Sequence, residues 1–178
     1  MTVLRARRRV LAVLVVLGIV PVAAGIAFAA GGRSLAEPLR TTVQYHDVET
    51  AIAAGYSLRL PDTSGETCIA DPTLGTMGVH MVNTGLLDAE IDASSPEALV
   101  YEPGRSGKLK LVAVEYVVFE SAWAGSEPPS LFGREFDYTP AGNRYGLPAF
   151  YALHAWIWKG NPSGILFAWN PRVSCDRA

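Results

Sequence analysis

Alternation of apolar and polar positions is the strongest pattern in the chain. Leu109 to Glu120, beginning Leu-Lys-Leu-Val-Ala-Val-Glu-Tyr-Val-Val-Phe, predicts a long strand. Thr76 to Asn83 predicts another, with Met77, Val79 and Met81 on one parity and His80 and Val82 on the other. Ala98 to Glu102 predicts a third, joined to the long strand by the hairpin-like connection Pro103–Lys108. Phe150 to Lys159 and the shorter Gly164 to Trp169 extend the series. Ahead of these strands the period changes. From Leu39 to Ala54, Tyr45, Val48 and Ile52 fall three and four residues apart, so one amphipathic helix is expected, capped by Gly55. Residues 61–75 read as irregular, and 121–148 as a long Gly- and Pro-rich loop, either a lid or a cover over the sheet. The fold class expected is α+β: an N-terminal helix packed on a curved antiparallel sheet or small β-barrel.

The first thirty residues follow another logic. Arg5, Arg7, Arg8 and Arg9 precede an uncharged run from Val10 to Ala30 that ends in Ala27-Phe28-Ala29. A basic start, an apolar middle and small residues at the end predict an export signal over 1–29, cleaved after Ala29. The alternative is a retained anchor over 10–30, long enough to span a bilayer. Both put the domain outside the cytoplasm, secreted or in the cell envelope, because the arginines hold the N-terminus inside. Residues 30–38 read as a linker and 39–178 as one globular domain.

Export changes the charge picture. The whole chain carries 15 basic and 17 acidic residues, but four of the basic ones precede the apolar run. The remaining chain is acidic, so neither nucleic acid nor an anionic lipid surface is an expected partner; a membrane enters only through an uncleaved N-terminal segment. A composition of 49% hydrophobic and 18% charged residues excludes a disordered chain. Cys68 and Cys175 are the only thiols, and in an oxidising compartment they predict one disulfide; the alternative is a pair of soft metal ligands.

Familiar catalytic signatures are missing: there is no G-x-S-x-G, no Walker loop, no H-E-x-x-H and no C-x-x-C. What remains is a few polar residues on apolar strands. Strand alternation puts Glu115 with Leu109, Leu111, Ala113, Val117 and Phe119, opposite Val112, Val114, Tyr116 and Val118. Neither face welcomes a carboxylate, so Glu115 needs a partner, either an arginine such as Arg59, Arg134 or Arg144 or something functional. His80 and His154 also fall mid-strand, the latter among Trp156 and Trp158. Two imidazoles and a carboxylate form a donor set suited to Zn, Cu, Fe or Ni, with positions left for water or substrate. His46, beside Asp47 on the predicted helix, reads either as an exposed helical histidine or as a fourth ligand. Tyr116, Trp156 and Trp158 read as core aromatics or as the lining of a flat ligand pocket.

Taken together, Tyr45-His46-Asp47, Met77-Gly78-Val79-His80-Met81-Val82-Asn83, Val114-Glu115-Tyr116-Val117 and Leu153-His154-Ala155-Trp156-Ile157-Trp158 resemble a family of exported bacterial proteins with no assigned activity. The resemblance spans about residues 40–175 and implies a stand-alone secreted domain, with no catalytic residues carried over. Two functional readings follow from the residues. One is a transition-metal protein using His80, Glu115 and His154, with or without catalysis. The other is a non-enzymatic domain, binding a small molecule or envelope component or purely structural.

Overall fold

A computed structural model describes residues 34–177. The segment 1–29, expected to be a signal or anchor, lies outside the described residues. The expected single helix is two. Helix α1 (Ala36–Thr42) takes in the last three residues of the predicted linker, a 3₁₀ turn covers Val43–His46, and α2 (Val48–Ala53) follows. The break falls at Asp47, whose extended backbone lets its carboxylate accept from the Glu49 amide and the Thr50 hydroxyl. An aspartate caps a new helix better than it continues an old one. At the other end α2 closes as expected. Gly55 has φ +100°, and the Gly55 and Tyr56 amides bond back to the Ile52 and Ala51 carbonyls. No helix among the described residues is long and apolar enough to cross a membrane.

The strands, in chain order, are β1 (Leu58–Arg59), β2 (Cys68–Asp71), β3 (Gly75–Val82), β4 (Ala98–Pro103), β5 (Leu109–Phe119), β6 (Ser130–Leu131), β7 (Arg134–Glu135), β8 (Asp137–Thr139) and β9 (Phe150–Ala155). Seven form one antiparallel sheet in the order β1-β3-β4-β5-β9-β8, with β2 also paired to β3; β6 and β7 form a separate ribbon. The fold is therefore α+β. The path ends at β1 and β8, so the sheet is open and the barrel alternative is not realised.

Four local expectations need correction, the first being that 121–148, read as a loop, holds β6, β7 and β8, the last of them paired to β9 in the main sheet. Residues 61–75 contain β2, which borders β3 with a bulge at Ile69/Ala70. Strand β9 stops at Ala155, because the Trp156 amide donates to Ile165 and the Trp158 amide to Val112. Gly164–Trp169 is a series of turns; the tail contributes only a bridge from Asn170 to Thr76.

The sheet is buried on both faces. On one face Val79, Met81, Leu99, Tyr101, Leu111, Val114, Tyr116 and Leu153 pack with Ala51, Tyr56 and Ala93. Strict alternation would put Leu111 and Val114 on opposite faces. A bulge between Val100 and Tyr101 pairs Val100 with Ala113 and Tyr101 with Leu111, leaving Val112 extra, and so returns Leu111 to the Val114 face. Glu115 thus shares its face with Ala113 and Val117 but not with Leu111. The disulfide joins Cys68 of β2 to Cys175, tying the C-terminal segment to the sheet.

Candidate metal centre

Pairing across the sheet explains how His80, Glu115 and His154 meet. Glu115 on β5 lies directly opposite His154 on β9 and, on its other side, Ala98 on β4. His80 on β3 lies opposite Val100, which in turn faces Ala113. His80 and His154 are thus three strands apart, roughly 14 Å at backbone level. Their side chains close that gap on the face that also carries Ala98 and Ala113. Nε2 of His80 lies 3.3 Å from Nε2 of His154 and 3.4 Å from Oε2 of Glu115. Nδ1 of His154 lies 3.5 Å from Oε1 of Glu115. The rings stand nearly perpendicular, at 88°. One ligand atom from each residue falls within 4.8 Å of the others.

Burial sets the charge states. His80 and His154 are 2% and 3% exposed and the Glu115 side chain 12%. Loss of water pushes the Glu115 carboxyl up to about 8 and the His80 imidazole down to about 4, where the Gly78 backbone opposes it. Burial, with His80 alongside, holds His154 well below the ordinary histidine value. Without a cation, burial favours the neutral form of all three groups. None of the three candidate arginines serves Glu115. Arg144 pairs with Asp62, Arg134 pairs with Asp137, and Arg59 is exposed on β1.

The distances discriminate between two kinds of contact. Good hydrogen bonds between such groups run about 2.7–3.2 Å. Donors about 2.0–2.1 Å from a tetrahedral ion stand about 3.3–3.4 Å from one another. The two separations from His80 Nε2, 3.3 Å to His154 Nε2 and 3.4 Å to Glu115 Oε2, match the second figure; the 3.5 Å contact joins the other nitrogen of His154 to the other oxygen of Glu115, so a set of one atom per residue is looser, within 4.8 Å. The buried Nδ1 of His80 has no hydrogen-bond partner of good geometry, and the Gly78 backbone gives the ring only partial support of the kind usual for a ligating imidazole. His154 is better supported: its ring runs nearly parallel to Trp156, and its two nitrogens face His80 and Glu115.

A recessed cavity of about 80 Å³ adjoins the centre. His80 and Glu115 form part of its wall, and Leu58, Leu60, Val82, Val117 and Phe119 are among the apolar residues that form the rest. Glu115 also faces a wider cleft of about 570 Å³ lined by Met77, Thr139, Asn143 and Trp169. Between the two lie Tyr145 and Phe150, which line both. The long loop supplies Tyr145 and Leu147 to the cavity wall and is pinned in place. The Arg144 guanidinium bonds Asp62 and the Ala70 carbonyl, and the Thr63 amide donates to the Arg144 carbonyl at 2.8 Å. This part of the loop is therefore a cover.

The remaining site residues fall elsewhere. His46 packs edge-on against Trp158, with ring centroids 4.5 Å apart, and is not among the clustered ligands. Tyr116, Trp156 and Trp158 line neither space; each is held by its polar tip, bonding the Ala93 carbonyl, the Phe167 carbonyl and the Thr42 hydroxyl respectively. The aromatic wall is built from Phe119, Tyr145 and Phe150 instead. Sequence reasoning also missed Glu97. This acid is 3% exposed, accepts from the Val117 amide, and is pushed by burial up to about 8. Its only sequence signal is an acid directly before the apolar run Ala98–Tyr101.

The chain matches no family model, no curated protein and no solved structure. Function has to be read from the geometry.

Proposed function

We propose that this chain is an exported domain, secreted or held in the cell envelope, that binds one divalent transition-metal ion through His80, Glu115 and His154. The observation that carries the reading is that one ligand atom from each of His80, Glu115 and His154 lies within 4.8 Å of the others, in a largely buried, otherwise apolar part of the sheet. Two imidazoles and a carboxylate suit Zn, Cu or Fe and leave coordination positions free. When bound, such an ion supplies a Lewis acid or activates water. The protein's own part is to hold the imidazoles neutral by burial and so ready to coordinate, and to shelter the centre beneath the loop at Tyr145 and Leu147. The Cys68–Cys175 disulfide is consistent with a place outside the cytoplasm.

The competing reading is a neutral, purely structural triad. It draws on the 3.3 Å approach of the two Nε2 atoms, one of which then carries the proton. Metal titration separates the two. Chelator-treated protein is titrated with Zn²⁺, Cu²⁺ and Fe²⁺, with His80→Ala and His154→Ala alongside. One ion per chain is expected for the parent and none for the variants. At a free-ion concentration of about 100 times Kd, the parent gains about 2.7 kcal/mol, or about 5–11 °C in Tm for a domain of this size. Folded parent protein that takes up none of the three ions at saturating concentration overturns the proposal.

A further inference from the structure

The cavity beside the triad has a chemistry of its own. A buried water needs about 10–15 Å³ and two to four polar partners, so about 80 Å³ has room for several waters. The walls cannot partner them. Leu58, Leu60, Val82, Leu87, Val117 and Phe119 carry no polar side-chain atoms. Three polar side chains reach the wall. The Tyr145 hydroxyl is already directed at Met77 Sδ, 3.5 Å away. That leaves His80 and Glu115 as the polar part of the wall. Leu58, 41% exposed on the short edge strand β1, provides a rim open to solvent.

We propose that this cavity binds a small amphiphile, a single aromatic ring or short alkyl chain carrying one hydroxyl-type polar group, with its apolar body among the leucines and its polar group towards His80 and Glu115. An apolar body replaces waters that the walls leave unsatisfied, while the polar group meets the two polar side chains of the wall, His80 and Glu115. Such a ligand is too small for the recognition of a polymer. A sugar does not fit, because its several hydroxyls would face leucine and valine. The inference shares two residues with the metal reading but does not require the ion.

The test uses 4-fluorophenol, fluorobenzene and glucose as probes against the whole protein, metal-free and Zn-loaded, followed by ¹⁹F NMR or calorimetry. Saturable single-site binding of 4-fluorophenol is expected in both states, with none for glucose. Leu87→Trp, at a half-buried position on the cavity wall, fills the space and should weaken both aromatic probes at least about tenfold, a loss of about 1.4 kcal/mol. Glu115→Gln should weaken 4-fluorophenol more than fluorobenzene. Folded protein that binds neither aromatic probe saturably up to millimolar concentration overturns the inference, as does Leu87→Trp binding both as the parent does. Aromatic binding without metal uptake removes the metal proposal alone. Metal uptake without aromatic binding removes this one alone.

Discussion

Two buried carboxyls and two buried imidazoles make the stability of the metal-free protein depend on pH in an unusual way. Burial raises Glu97 and Glu115 from the ordinary 4.5 to about 8. The native state therefore keeps both protons at neutral pH while the unfolded chain has released them. The stability these protons confer is complete below pH 4.5 and is lost as pH rises to about 8. His80, lowered from 6.5 to about 4, acts in the opposite sense, and His154 shifts the same way. On acidification the unfolded chain takes up those protons first, so stability rises with pH up to 6.5. Between about pH 4.5 and 6.5 the acids and imidazoles offset one another. From 6.5 to 8 only the carboxyls act. Two protons over about 1.5 pH units, at about 1.4 kcal/mol per proton per unit, give a loss of about 4 kcal/mol. Urea unfolding of chelator-treated protein at pH 6.5, 7.2 and 8.0 and fixed ionic strength measures it. Glu97→Gln keeps an oxygen to accept from the Val117 amide and removes one titration, so its loss should halve to about 2 kcal/mol. Parent stability that is level or rising across this window would refute the reasoning, and so would an unchanged slope in Glu97→Gln.

Two further outcomes follow from the backbone. The disulfide joins residues 107 apart, so Cys68→Ser/Cys175→Ser should cost about 4–5 kcal/mol, read as a lower denaturation midpoint; an unchanged midpoint would show that the bridge constrains nothing. Gly78 has φ +112°, and a Cβ there would stand 2.6 Å from the Tyr101 carbonyl oxygen. Gly78→Ala, two residues from His80, should therefore cost about 2–6 kcal/mol in equilibrium unfolding, and a neutral result would contradict this close approach of β3 and β4.

Some of the misplaced polar residues are legible in the alternation itself. His80, Glu115 and His154 stand out because strand alternation surrounds each with apolar neighbours, and burying such a group without a partner is costly. Glu97 does not stand out, because an acid one position before a strand looks like an ordinary end residue. Asp47 is ambiguous for a related reason. A continuous apolar stripe spans it, and nothing local says whether its carboxylate will cap a new helix or point to solvent.

Periodicity alone determined that the chain forms an antiparallel sheet preceded by helix, and that three ionisable side chains would stand on apolar strands. That information is local, carried by side chains alternating along one strand. Which strands become neighbours is a matter of long-range pairing. It placed β5 between β4 and β9, set Glu115 opposite His154, and brought β3 close enough for His80 to join them. The bulge at Val100/Tyr101 likewise depends on two strands at once, and it moved Leu111 to the other face. The residues of the centre are thus legible one at a time, whereas their meeting depends on register, which only the assembled sheet defines.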